Sequence, residues 1–141
     1  MRAASKAIAS LAAGLAAAAL LGCGSSGPTP VQVGQQWYRA TAAGDGNKVC
    51  KLSTALRQQR FIELAKRLPG GATGARTCPA AVELTLKHFG GIARLGKFAH
   101  VHIRVLTQSK TTAEVQAENA VPLELVRSGS TWLVSGAAPR S

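Results

Sequence analysis

The stretch LELVRSGSTWLV, at residues 123–134, places two apolar segments on either side of Ser128-Gly129-Ser130. Small residues around a glycine, between two β-prone segments, are typical of a tight hairpin turn. The stretch therefore predicts two antiparallel strands. Because Pro122 cannot donate a ladder hydrogen bond, we expect an edge or a bulge at the start of the first strand.

Two more strands are expected upstream of this hairpin, because polar and apolar residues alternate there. In residues 100–105, β-branched residues alternate with His100, His102 and Arg104, and residues 111–118 alternate alanine and valine with polar residues. A period of two is typical of a half-buried strand. The two histidines and the arginine are expected on the outer, polar face.

The preceding part of the chain has a helical pattern instead. Residues 31–43 repeat apolar side chains at helical spacing and direct Trp37 toward the core. Further helices are expected around Cys50, from Ser53 or Thr54 to Leu68, and from Thr77-Cys78-Pro79 to Gly90-Gly91, with a glycine-rich loop at residues 69–77. The buried stripe of the long helix is predicted to comprise Leu56, Phe61, Leu64, Ala65 and Leu68. Helices followed by antiparallel strands indicate an α+β fold, with the helices packed on one face of a curved sheet.

The first 22 residues have the layout of a secretory signal. Arg2 and Lys6 precede an apolar run from Ile8 to Leu21, and residues 1–22 contain no acid. The run is shorter than the roughly 20 residues that a membrane-spanning helix needs, and it ends at small residues. The chain is therefore predicted to be exported.

The end of this segment, Leu20-Leu21-Gly22-Cys23, resembles the lipobox of bacterial lipoproteins. The resemblance implies cleavage before Cys23 and a diacylglycerol on its sulfur, with palmitate as the expected acyl group. The protein would then be anchored at the extracytoplasmic face of the cell membrane, with residues 23–30 as a flexible tether. The alternative is a signal peptide without lipidation, in which Cys23 is incidental.

The chain is strongly basic, with a formal net charge of +11. Loss of the signal would leave +9, which attracts anionic lipid or an acidic wall polymer. Nucleic acid is not expected as a partner, because the chain is exported and has few aromatic residues for base stacking. The densest group of cations comprises Lys48, Lys51, Arg57, Arg60, Lys66 and Arg67. This group is either a solvated helix face or an anion-binding site.

Two cysteines remain once Cys23 is lipidated. Exported compartments are oxidising, so Cys50 and Cys78 are expected to form a disulfide. Two separate buried thiols are the alternative. A redox pair is less favoured, because the C-x-x-C spacing is absent.

Several strings in this order resemble the NTF2-like family, including its small exported bacterial members. They are Trp37-Tyr38, Ala42-Ala43-Gly44-Asp45, Val49-Cys50-Lys51-Leu52, the late Cys78, and the two segments of residues 123–134. The resemblance covers residues 30–136 and implies a cone of helices against a bent sheet, at residues 31–138. Such cones often enclose a pocket, which Trp37, Phe61, Phe89, Phe98 and Trp132 would line.

Neither a catalytic nor a metal site is predicted. Enzymes of the resembled family pair a carboxylate with an acid in an apolar pocket, and here Tyr38 faces away from Trp37 while Asp45 suits a helix cap. His100 and His102 would supply two metal ligands, but a zinc site needs at least three, and Arg104 would repel the cation. No cofactor is expected.

Three functions remain open. The first is a non-catalytic binding module for a small apolar ligand or an envelope protein, which requires an open apolar cavity for the ligand. The second is an isomerase or dehydratase, which requires an ionisable pair inside the cavity. The third is a basic module that adheres to anionic lipid or wall polymer, which requires a filled cavity and a one-sided cationic patch. The composition suggests a high-GC bacterium, such as an actinobacterium, and assigns no oligomeric state.

The role of Cys23 is testable by substitution. In Cys23→Ser the acceptor sulfur is missing, so we expect the processed, membrane-bound form to be lost in fractionated cells. The product should be either soluble or an uncleaved precursor. Ser26→Ala, which keeps Cys23, should be processed and anchored normally. A processed Cys23→Ser product that still partitions with membranes would contradict the lipid anchor.

Overall fold

The computed structural model describes residues 27–89 and 100–137. The helices come first: α1 (Pro30–Ala43), α2 (Gly46–Lys51), α3 (Ala55–Lys66), α4 (Gly71–Gly74) and α5 (Cys78–His88). The strands follow: β1 (Ile103–Gln108), β2 (Thr112–Ala117), β3 (Leu123–Ser128) and β4 (Thr131–Ala137). The predicted α+β arrangement, with helices before antiparallel strands, is confirmed.

The four strands form an antiparallel sheet in the order β1-β2-β3-β4. At the β3–β4 turn, Ser128 pairs with Thr131 and Gly129 has a φ of 61°, a conformation that favours glycine. β3 begins directly after Pro122, and its pairing with β4 shifts at Glu124. A second shift interrupts the β1–β2 pairing after Val105. Such bulges bend strands, so both hairpins favour a curved sheet.

Helix α1 is fixed at both ends by its own residues. Thr29 and Gln32 form a capping box at the start, where Pro30 has the restricted φ that a first helical residue needs. Gly44 ends the helix with a φ of 69°. A Cβ on Gly34 would lie only 2.8 Å from a methyl carbon of Val115 on β2. The glycine therefore allows α1 to approach the sheet closely.

The corner between α2 and α3 is hydrogen-bonded to strand β4. The amide of Thr54 donates to the Val134 carbonyl over 3.0 Å, and the Val134 amide donates to the Leu52 carbonyl over 2.8 Å. Ser53 lies between them in a parallel bridge with Val134. The outer edge of β4 is thus occupied by the helical layer, whereas β1 is the opposite edge of the sheet.

Three local predictions need correction. The predicted loop at residues 69–77 contains the single helical turn α4. In this turn the amides of Gly74 and Ala75 donate to the carbonyls four residues earlier. Val105, predicted to face the core, is 41% exposed, because β1 is an edge strand that is largely uncovered. Leu56 and Leu64, predicted in the buried stripe of α3, are 61% and 41% exposed.

The disulfide candidates lie together in the helical layer. Cys50 of α2 and Cys78 at the start of α5 are bonded, with their Cα atoms 6.1 Å apart and a separation of 28 positions in sequence. Both are buried in the main core cluster. The bond connects two helices whose connecting segment includes all of α3 and α4.

This disulfide predicts a measurable loss of stability. Closing a loop of this length restricts the unfolded chain by about 3–4 kcal/mol in the chain-entropy model. The double variant Cys50→Ala/Cys78→Ala should lose about that much free energy of unfolding in urea titrations, relative to the oxidised wild type. Peptide mass spectrometry without reductant should find the two cysteines joined. Ready alkylation of both thiols in the unreduced protein would contradict the bond.

Candidate functional site

The aromatic residues predicted to line a pocket do not share one cavity wall. Trp37 and Trp132 are buried members of the main core cluster, and Phe61 packs against that cluster. Phe89 is 61% exposed at the end of α5. Phe98 lies outside the described residues. Trp37 and Trp132 therefore fill the interior beneath the sheet.

Trp37 is held by a buried polar contact as well as by packing. Its indole N–H donates to the Ser53 hydroxyl over 3.2 Å, and that hydroxyl donates to the Val49 carbonyl over 2.7 Å. Tyr38 meets the Trp37 ring edge-on, with centroids 5.7 Å apart. Each polar atom in this series of contacts has a hydrogen-bond partner, so the series has a structural role.

A cavity of about 510 Å³ lies where β1 and β2 meet. It is lined by His102, Ile103, Arg104, Gln116, Ala117, Glu118 and Asn119. Arg104 donates to the Gln116 side chain over 2.9 Å, and Gln116 donates to the Ala120 carbonyl over 2.9 Å. The lining is largely polar, and it includes none of the four described aromatic residues predicted for a pocket.

Tyr38 has the environment of a structural tyrosine. Its hydroxyl donates to the Val121 carbonyl over 3.1 Å. Burial raises the pKa of this phenol, and a backbone hydrogen bond with Ala117 lowers it to a smaller extent. Asp45, the other candidate for catalysis, is exposed and accepts the Lys48 amide at 2.9 Å as the cap of α2. The two side chains thus have separate local roles.

Metal ligands do not cluster in the described parts of the chain. Among residues 27–89 and 100–137, no group of three or more histidine, cysteine, aspartate or glutamate side chains could bind a metal ion. His88 instead packs edge-on against Phe89, with ring centroids 5.1 Å apart. None of the described helices is long and apolar enough to cross a membrane.

Arg57 on α3 differs from the other cations of the basic group. Its guanidinium lies 4.9 Å from the Phe61 ring centroid and 5.9 Å from that of Trp37. Its Nε is buried and has no hydrogen-bond partner among the described residues. Burial, and then the nearby charge of Arg60, lower its pKa. Arg57 therefore holds a positive charge next to the aromatic rings of Phe61 and Trp37 through cation–π contact.

Charge is divided unequally between the two layers of the fold. The helical segment, residues 27–89, has nine lysines and arginines against three acids, whereas residues 100–137 have three of each. All nine cations except Arg57 are exposed. Within the described residues one ion pair forms, between Lys66 and Glu63 at 2.9 Å. The positive excess therefore belongs to the helical layer and is largely uncompensated there.

The exposed side of α3 combines positive charge with leucine. Leu56, Arg60, Leu64 and Arg67 follow one another at helical spacing, and all four are exposed. We call these four residues the α3 outer face. The opposite side of the helix contributes buried Ala65 and half-buried Phe61 and packs near α5. The sequence prediction placed Leu56 and Leu64 in the buried stripe, although Arg60 lies between them at the same spacing.

Comparison with known proteins gives no relatives. The chain matches no protein-family model, no curated protein and no solved structure.

The burial of Tyr38 predicts its titration. It is the sole tyrosine, so the absorbance of ionised phenol reports this residue alone. Because burial favours the neutral phenol, its pKa in the folded protein lies above the ordinary value of 10.0 for tyrosine. The stability that this shift contributes is complete below pH 10 and is lost as pH rises through the folded-state pKa.

We expect the folded chain to titrate at higher pH than the same chain in guanidinium chloride. Tyr38→Phe removes the phenol signal and serves as the baseline for other alkaline transitions. Identical midpoints in the folded and denatured chains would show that the phenol is not buried as described.

Proposed function

We propose that this chain is an exported lipoprotein with an NTF2-like domain, which adheres without catalysis to anionic lipid at the extracytoplasmic face of the cell membrane. The observation that carries the proposal is the unequal charge of the two layers. Nine cations against three acids in residues 27–89 give this layer a positive field, while residues 100–137 are balanced. A field on one side orients a domain toward a negative surface.

Two features support an NTF2-like cone. The helices precede a four-stranded antiparallel sheet, and α1 packs on that sheet through Gly34. Bulges in both outer pairings favour a bend in the sheet. The cone remains part of the proposal.

The filled interior favours adhesion over binding of a small apolar ligand. Trp37 and Trp132, expected to line an open cavity, are 8% and 5% exposed and belong to the packed core. A ligand would have to displace them or bind elsewhere. The small-ligand and envelope-protein hypotheses stay predictions.

The proposal assigns no catalytic residue. An isomerase of the resembled family needs a carboxylate facing an acid in a water-poor site. The Tyr38 hydroxyl donates to a backbone carbonyl, and Asp45 caps a helix in solvent. Neither side chain is directed at a common cavity.

A lipid attached to Cys23 and the positive charge of the helical layer would act together. Each lysine or arginine near an anionic bilayer contributes about 1 kcal/mol, and the field decays within a Debye length of about 10 Å at 0.1 M salt. Electrostatic attraction alone is therefore weak and reversible. Combined with an acyl anchor, it would determine which side of the domain meets the membrane.

Vesicle binding tests this function without the anchor. The chain from residue 23 onward, with Cys23→Ser to prevent acylation, should sediment with phosphatidylglycerol vesicles at low salt. Binding should fall by roughly tenfold or more as salt rises toward 1 M, where the Debye length is about 3 Å. Phosphatidylcholine vesicles are the matched control and should bind little.

Equal binding to both vesicle types, or binding that salt leaves unchanged, would contradict the proposal. Binding to isolated cell wall but not to phosphatidylglycerol would replace lipid with wall polymer as the anionic surface. Circular dichroism of the same preparation establishes that the chain is folded during the measurement.

A further inference from the structure

We infer that the α3 outer face is the surface by which the domain lies on the bilayer, with Leu56 and Leu64 entering the headgroup boundary and Arg60 and Arg67 binding lipid phosphates. This inference rests on the proposed function. It adds one specific helix face and one mode of contact to the general attraction described above.

The α3 outer face combines apolar and charged groups. Leu56 and Leu64 are 61% and 41% exposed, two turns apart on the same side of α3. Arg60 lies between them and Arg67 follows, so apolar and cationic groups alternate along one line. Helices that lie in a membrane interface turn leucines toward the acyl boundary and basic residues toward the headgroups, and α3 exposes both kinds of side chain on one side.

Arg60 and Arg67 form no ion pair within the described fold. The one ion pair in residues 27–89 and 100–137 joins Lys66 to Glu63, the acid that lies between the two arginines in sequence. Arg60 and Arg67 therefore face solvent without a carboxylate partner in this part of the chain. A guanidinium group binds phosphate oxygens in a bidentate manner, which suits lipid headgroups.

Arg57 places a further positive charge beside this face. Its guanidinium packs on the Phe61 ring at 4.9 Å, and it lies close enough to Arg60 for their charges to interact. The two cations repel each other, so an anion placed against Arg60 relieves that repulsion. A phosphate surface is thus favoured over a neutral one.

A second copy of this chain fits the face poorly. In a two-fold dimer the same patch meets itself, so Arg60 and Arg67 would approach their own counterparts. Like charges brought together in this way are unfavourable. Anionic lipid complements the same residues.

The length of the proposed tether limits how far the domain can lie from the membrane. The proposed tether runs from Cys23 to α1, which begins at Pro30. A segment of eight residues spans at most about 26–29 Å when extended. The domain would therefore stay close to the bilayer, where a weak contact is populated because its effective concentration is high.

Reporter tryptophans test the orientation in the anchored protein. The full chain is expressed with Leu64→Trp, purified from membranes in its processed form, and reconstituted into vesicles with bromine-labelled acyl chains. Quenching is measured relative to the wild type, whose two tryptophans are buried. Leu106→Trp is the matched control, because Leu106 is a leucine of similar exposure (39%) on the opposite sheet edge.

In vesicles containing phosphatidylglycerol, Leu64→Trp and Leu56→Trp should be quenched severalfold more than Leu106→Trp. The difference should disappear in phosphatidylcholine vesicles, although the acyl anchor keeps the protein bound. Adding Arg60→Glu and Arg67→Glu should also abolish it. The control pair Lys87→Glu and Lys110→Glu makes the same change in net charge elsewhere and should leave the difference intact.

The outcomes separate the two proposals. If the protein does not associate with vesicles at all, the proposed lipid-anchored function fails. If it stays bound while all three reporters are quenched equally, the lipid anchor survives and the assignment of the α3 outer face is wrong. If the α3 reporters are shielded without lipid and the particle mass doubles, a second copy occupies this face and the inference is overturned.

Discussion

The hydrogen-bonded contact between Ser53 and Trp37 is the constraint on which the rest of the fold depends. The Ser53 hydroxyl accepts from the indole of α1 and donates to the Val49 carbonyl of α2. The backbone on either side of Ser53 pairs with Val134 of β4. One short segment therefore joins the first helix, the second helix and the last strand. An unpaired polar atom at this depth would be costly, so the three elements are fixed together.

This junction also explains why the proposed lipid-binding surface is external. With Trp37 fixed against β4 and Trp132 packed in the same core, the interior is occupied by side chains. The lysines and arginines of residues 27–89 are then left on the outside of the helices, and among them Arg57 alone is drawn partly inward, over Phe61. The disulfide between Cys50 and Cys78 closes the same helical layer. A rigid, positively charged layer is consistent with binding to a surface.

Much of the fold was accessible from local patterns. The turn at Gly129 follows from glycine's access to positive φ, and the cap of α1 follows from Thr29, Pro30 and Gln32. These features depend on residues close together in the chain. The single turn at residues 71–74 was missed, because glycine and alanine alone give no helical periodicity.

The candidate surface was only partly accessible. The sequence showed the group of cations but did not separate half-buried Arg57 from exposed Arg60. It also assigned Leu56 and Leu64 to the interior, because the apolar residues of α3 can be grouped at helical spacing in more than one way. Which line is covered depends on the elements packed against α3, and those elements are distant in sequence.

By itself, the sequence determined the order of helices and strands, the excess of positive charge, and the motif at Cys23, since each depends on residue type and local spacing. The tertiary structure alone decided that Trp37 and Trp132 fill the interior and that Leu56 and Leu64 face outward. The physical reason is that burial is a property of contacts between distant segments. Which side of α3 meets water was settled only when α5 and β4 packed against the other side.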